Sequence, residues 1–238
     1  MKKIIVVLAL AVALCLPQMA VAALQVTFTG GSSGYGLYQT GSGGEFTLAP
    51  TGFAVSGYSA STSSPTGTFQ TFCLEVNEHI SGNTRYDVVF NTKAMNGGVS
   101  PAGTGDPISI GTAYLYQAFA TGTLAGYDYG AGRTTSAANL QNAIWMLEGE
   151  QLPFNSANPF IAQAMTALGF TTQTQIQADA NGAYGVMVLN LYADGHAGDP
   201  DYLRQDQLVY VPEPGTLLLL GSGLLGLALA GSRKKFRK

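Results

Sequence analysis

The sequence predicts an α+β fold: a β-rich sandwich or partial barrel with a helical insertion, plus an N-terminal signal helix and a C-terminal single transmembrane helix. Three observations carry this expectation. The first third of the body alternates apolar and polar residues between Gly-rich turns, the middle carries apolar residues at helical spacing, and both ends are apolar runs flanked by basic residues. Of the 238 residues, 46% are apolar and only 11% charged, the composition of a chain that folds rather than one that stays disordered.

Each element has a local reason. Leu24-Gln25-Val26-Thr27-Phe28 and Glu45-Phe46-Thr47-Leu48 read as strands, separated by turns at Gly30-Gly31-Ser32-Ser33-Gly34 and Gly41-Ser42-Gly43-Gly44. Stronger strands follow at residues 69–76 and 85–90. Helical spacing then sets in over residues 108–120, through Ala113, Tyr114, Leu115, Ala118 and Phe119. A second helix, capped by Thr135-Ser136, runs through Leu140, Ala143, Ile144 and Leu147 to Glu148. A third begins at Asn158 with Pro159 in its first turn and stops at Gly169. Strands return at residues 183–192 and 207–211. No internal repeat or linker divides the body, so residues 23–210 are expected to form one extracytoplasmic domain.

The charges are segregated. Seven of the eleven basic residues lie at the two ends, leaving Arg85, Lys93, Arg133 and Arg204 against all fourteen acids, a net of −10 for the stretch between. Such a surface repels phosphate backbones, which excludes a nucleic-acid partner. At the front, Lys2 and Lys3 precede the apolar run 4–16 and the small residues Ala20-Val21-Ala22, the order of a secretory signal peptide over residues 1–22. Signal peptidase is therefore an expected processing partner. At the back, Val211-Pro212-Glu213-Pro214-Gly215 leads into an apolar stretch to Gly231 and the basic tail 233–238. A helix from Pro214 to Ser232 measures about 28 Å, just enough to cross a bilayer, and the basic residues at both ends place both on the cytoplasmic side.

Pro212 and Pro214 hold Glu213 in an extended, protease-readable segment outside the bilayer. The Pro-Glu-Pro tripeptide, the short Gly- and Leu-rich span and the terminal basic cluster together resemble the PEP-CTERM sorting signal of Gram-negative bacteria over residues 211–238. The resemblance implies recognition by a membrane-embedded exosortase, transient anchoring in the inner membrane, removal of the tail and delivery to the cell surface or extracellular matrix.

Signal cleavage removes Cys15 and leaves Cys73 as the single cysteine, so no internal disulfide forms in this oxidising compartment. In the stretch 71–76, Phe72, Leu74 and Val76 share one strand face while Cys73 lies with Thr71 and Glu75 on the more polar one. On the second helix, Gln141, Trp145 and Glu148 occupy one flank at i, i+4 and i+7 beside the stripe of Leu140, Ile144 and Leu147. An aromatic-Cys-aliphatic strand followed by an aliphatic-Gln-x-Ala-Ile-Trp helix resembles the thioester domains of bacterial surface adhesins. The resemblance implies an internal thioester between Cys73 and Gln141, in a dry pocket supplied by Phe72, Leu140, Ile144 and Trp145, that reacts with a nucleophile on a surface protein or polysaccharide. An inert buried Cys73 and an intermolecular disulfide are the competing readings.

Other chemistry is poorly supported. Cys73 with His79 or His196 lacks an oxyanion-hole motif, the acidic loop 194–201 lacks the order of calcium ligands, and Glu148 and Glu150 point apart as exposed helix-end acids. No metal, cofactor or catalytic residue is expected and the chain does not read as an enzyme. The alternative to covalent attachment is a non-covalent structural component of an exopolysaccharide or biofilm matrix.

Overall fold

The computed structural model describes residues 23–29, 37–40, 43–53, 67–95, 105–150 and 153–211. The signal segment 1–22, the Pro212-Glu213-Pro214 motif and the expected transmembrane helix lie outside these residues. Among the described residues, no helix is long and apolar enough to cross a membrane.

The fold is α+β, a curled antiparallel half-barrel with a few helices. Its strands are β1 (Gln25–Phe28), β2 (Tyr38–Thr40), β3 (Gly43–Thr51), β4 (Phe69–Thr71), β5 (Thr84–Asn91), β8 (Val186–Ala193) and β9 (Leu203–Tyr210), and β6 (Lys93–Ala94) pairs separately with β7 (Asp106–Pro107). The sheet order is β2-β3-β1-β5-β8-β9, with β4 also paired to β3. Immediately after β4 the chain crosses to the opposite edge. Leu74 N–H donates to Asp206 O and Leu208 N–H to Phe72 O, both at 3.1 Å, and Cys73 stands opposite Gln207. Cys73 therefore sits on the seam where the two edges of the curled sheet meet.

The uniform strand expected over residues 69–76 is thus split. Phe69–Thr71 belongs to β3, residues 72–74 belong to β9, and at Glu75 the side chain replaces a ladder partner, its Oε2 accepting from Asp206 N at 2.9 Å. Strand alternation also acquires a different meaning. Phe72 and Leu74 point into one core with Val186, Val188 and Leu208, whereas Cys73 points into a second core inside the half-barrel with Val26, Phe28, Phe46, Leu48 and Leu191. The face of Cys73 is no solvent face, because a curled sheet covered by helices buries both of its sides: Thr71, Cys73 and Glu75 are all buried.

The helices α1 (Ile110–Ala120), α2 (Arg133–Leu147), α3 (Pro159–Leu168) and α4 (Gln173–Ile176) cover the outer face. Ser109 caps α1 through its side chain, and Asn158 caps α3, which ends at Gly169 in the left-handed conformation, as the sequence suggests. The start of α2 departs from expectation. It begins at Arg133 after Gly132, and Ser136 uses its hydroxyl to accept from Asp128 N at 3.0 Å rather than to cap the helix. Residues 183–185 form a short 3-10 turn before β8, and Gly43 and Gly44, expected in a turn, begin β3.

Candidate functional site

Cys73 on the seam and Gln141 in the third turn of α2 are 68 positions apart and in direct contact, both with zero solvent exposure. The Gln141 carboxamide reads the Cys73 peptide unit on both sides: Nε2 donates to Cys73 O at 2.8 Å, and Oε1 accepts from Cys73 N–H at 3.3 Å. The thiol lies 3.4 Å from the same Oε1. The carboxamide is fixed by reciprocal bonds, and the sulfur sits beside its carbonyl. Cys73 N–H also occupies the place of a donor to any negative charge that develops on Oε1.

Trp145, one turn further along α2, reaches into the half-barrel core with Cys73, while Phe72, Leu140 and Ile144 pack in the helix-side core. Of the four side chains suggested as pocket walls, only Trp145 therefore shares the cluster that contains the sulfur. Its Nε1 is buried with no hydrogen-bond partner. Directly across the seam from Cys73 is Gln207, also buried, whose Nε2 donates to Gln205 Oε1 and whose Oε1 has no partner. Because the ladder bonds flank the Cys73–Gln207 pair instead of joining it, the two side chains rise from the closely spaced kind of cross-strand position.

Gly43 closes the site from the β3 side. A methyl group placed on it would lie 2.7 Å from the Trp145 ring and 2.9 Å from Gln141 Cγ. The backbone of β3 can approach α2 this closely only because residue 43 has no side chain. The approach is fastened by Arg133 at the start of α2, which donates from Nε and Nη2 to the two carboxylate oxygens of Glu45 at 2.8 and 2.7 Å. Tyr127 donates its hydroxyl to Glu45 Oε1, and the Arg133 guanidinium stacks 4.0 Å over the Tyr38 ring. Arg133 and Glu45 are almost completely buried, and Arg133 Nη1 has no partner.

Burial pushes the Cys73 thiol well above its ordinary value, and nearby Glu75 pushes it in the same direction, while the neighbouring Trp145 side chain pulls it back. At neutral pH the group is a thiol. Burial likewise lifts Glu75, assisted by neighbouring Asp206, and lifts Asp206 itself to about 7 against donors from Met95 N and Asn190.

Two acids differ from the sequence expectation. Glu148 is buried, not exposed: its carboxylate accepts from Ser109 Oγ at 2.8 Å and from Ser109 N at 3.2 Å, tying α2 to the cap of α1. Burial raises it to about 7. Glu150 is half-buried and accepts from Val76 N at 3.4 Å. The helix-end positions of both coincide with contacts to the seam and to α1, which a one-dimensional reading places in solvent.

His79 is exposed, and His196 stacks on Tyr202 with ring centroids 3.5 Å apart. The acidic loop is committed elsewhere: Asp194 pairs with Arg85 at 2.5 Å, and Asp199 accepts from Asp201 N. Among the described residues, no cluster of His, Cys, Asp or Glu is arranged to hold a metal ion.

The C-terminal segment is decided by comparison. Residues 211–234 match the family model of the PEP-CTERM protein-sorting motif. Pro212, Glu213 and Pro214 fall inside the match, which supports an exosortase substrate that is membrane-anchored and then exported. Neither a curated protein nor a solved structure matches the chain.

Proposed function

We propose that this exosortase substrate carries an internal thioester between Cys73 and Gln141, through which the exported domain attaches covalently to a nucleophile on a surface protein or polysaccharide. The observation that supports the reading most is the reciprocal pair of hydrogen bonds between the Gln141 carboxamide and the Cys73 peptide unit, with the thiol 3.4 Å from Gln141 Oε1. A glutamine held in this way presents its carbonyl carbon beside the sulfur without further loss of side-chain freedom, the pre-organisation that makes an intramolecular acyl transfer fast.

In the closing step, Cys73 Sγ bonds to Gln141 Cδ, the carbon–nitrogen bond breaks, the thiol proton passes to the departing nitrogen, and ammonia leaves. In the attachment step, a primary amine such as a lysine side chain bonds to Cδ, the carbon–sulfur bond breaks, and a proton from the amine restores the thiol. Each molecule reacts once, so the domain is a reagent and not an enzyme. Complete burial of Cys73 and Gln141 protects the acyl group from water.

A second reading rests on the suppressed ionisation of the same buried thiol. A neutral Cys73 in a satisfied hydrogen-bonded contact is also a stable end state, in which the domain is a non-covalent component of an exopolysaccharide or biofilm matrix. Intact mass of the mature domain separates the two. The thioester predicts a deficit of one ammonia, absent in Cys73→Ala and Gln141→Ala and replaced by one methylamine adduct after treatment. The full calculated mass in a freshly purified sample favours the second reading.

A further inference from the structure

Cys73 and Gln141 have no exposed surface, so an amine reaches them only after part of their cover moves. The seam is the shorter of the two ladders that β9 makes: Leu74 N–H bonds Asp206 O and Leu208 N–H bonds Phe72 O, whereas β8 pairs with β9 from Val186 to Tyr192. Side chains finish the closure. Asp206 N–H donates to Glu75 Oε2 at 2.9 Å, where a further ladder bond would fall. Asp206 itself lies in a β-bulge, since β8 and β9 pair at Leu189–Gln207 and again at Leu191–Arg204, which leaves Gln205 and Asp206 opposite Asn190 alone. Its carboxylate fills the bulge: Oδ2 accepts from Met95 N–H at 2.7 Å and from Asn190 Nδ2 at 2.8 Å, and Oδ1 accepts from Leu191 N–H at 3.3 Å.

Glu75 and Asp206 are both buried, and the ion pairs among the described residues, Arg85–Asp194 and Arg133–Glu45, reach neither. Two carboxylates so close together in an apolar interior, with no cation, do not both ionise. The donors decide which one stays neutral. Asp206 has three for its charge, while Glu75 has one on Oε2 and none on Oε1, so Glu75 holds the proton. The groups around the pair do not relieve it. Glu78 acts on both acids in the same direction as burial, Glu150 after α2 accepts from Val76 N–H, and Cys73 and Tyr192 are themselves held neutral. Of the cations on the packed elements, Lys93 is exposed and Arg204 donates to Leu203 O at 2.6 Å.

We propose that Glu75 and Asp206 form a proton-dependent latch on the seam: with one proton between them, residues 72–75 stay paired with β9 and the Cys73–Gln141 contact stays sealed, and loss of that proton to water frees the segment and admits the amine. The gating of acyl transfer rests on the thioester reading; the latch does not. The closed seam keeps a proton that solvated carboxyls, with ordinary values near 4, have lost by neutral pH, and burial lifts Asp206 to about 7 and Glu75 in the same direction. Closure is therefore complete below about pH 4 and weakens by up to about tenfold per pH unit as pH rises toward 7.

Amide hydrogen exchange of the mature domain tests this, followed by NMR and expressed as protection relative to an unstructured chain so that the intrinsic pH dependence cancels. Between about pH 5 and 7.5, protection of the Leu74 and Leu208 amides falls by about tenfold or more, while Val88, whose N–H bonds Leu24 O at 2.8 Å away from the seam, changes by less than about twofold. In Glu75→Gln, which keeps the shape and cannot ionise, the seam amides hold their protection throughout. An unchanged seam in the native chain, a fall that Val88 shares, or a fall that persists in Glu75→Gln each overturns the latch. Methylamine incorporation, corrected for the free-base fraction of the amine, quickens with pH by a similar factor in the native chain and not in Glu75→Gln; a rate indifferent to the substitution overturns the gating. If the seam amides behave as expected but no ammonia is lost from the native chain, the latch stands and the thioester reading fails.

Discussion

The closest approach in the site, between β3 and α2 at Gly43, makes Gly43→Ala the most informative single change. A methyl group there falls 2.7 Å from one Trp145 ring carbon and 3.3 Å from another, and 2.9 Å from Gln141 Cγ, all well inside ordinary contact. The Trp145 ring is wedged in the half-barrel core and Gln141 is held by two bonds to Cys73, so neither can swing away as a free side chain would. Overpacking of this kind costs about 1–3 kcal/mol. Restricting the unfolded chain returns only about 0.4–1 kcal/mol, so the clash wins. Because a domain of this size melts about 2–4 °C lower for each kcal/mol lost, the mid-range net loss of about 1.3 kcal/mol lowers the midpoint by roughly 3–5 °C. The same displacement moves the carboxamide off Cys73 and raises the reactivity of its thiol. Thermal melting and alkylation of Cys73, measured together, test the reasoning. In a Trp145→Ala background the nearest ring atoms are gone and the cost of Gly43→Ala shrinks. A melting temperature and thiol reactivity indistinguishable from those of the native chain would refute the packing argument.

Other expectations follow from the charges and the tail. Arg133→Met leaves the Glu45 carboxylate buried without its partner and lowers stability by about 3–5 kcal/mol, whereas Arg133→Met with Glu45→Leu recovers much of the loss; denaturant unfolding of the three variants reads this directly. Glu148 rises from 4.5 to about 7 on folding, so the folded state binds more protons than the unfolded state between those values and stability falls as pH increases through that window, by about 3 kcal/mol. Unfolding midpoints at pH 4.5 to 7.5 should show a shallower decline in Glu148→Gln, and an identical slope would exclude Glu148 as a source. Replacing Pro212-Glu213-Pro214 with alanines leaves uncleaved protein in the inner membrane fraction, and unaltered release would contradict exosortase processing.

How much of this was legible in the sequence depends on whether the cause was local. The Asn158 cap, Pro159 and Gly169 bound α3 through interactions within a few residues, and the alternation in β1 follows the pleat. The Cys73 and Gln141 motifs were visible as residues, but their contact depends on the seam that brings β4 to β9 and on α2 lying across β3. The role of Gly43 was hidden because a run of glycines reads as a turn, although its second half pairs with β2. Arg133 carried a faint signal as one of four basic residues in a strongly acidic body; its partner Glu45 lies 88 positions away in a strand that looked half-exposed. Glu148 failed for the converse reason, since an acid at a helix end is normally solvated and here it bonds the capping residue of another helix.

The most direct measurement is a crystal structure of the mature domain, grown without added amines and refined with Cys73 and Gln141 unrestrained toward each other. The account predicts continuous electron density from Cys73 Sγ to Gln141 Cδ at covalent separation, with Nε2 gone and Oε1 still facing Cys73 N–H. A separate thiol and an intact carboxamide in van der Waals contact, in crystals from material that has never met a competing nucleophile, would contradict it.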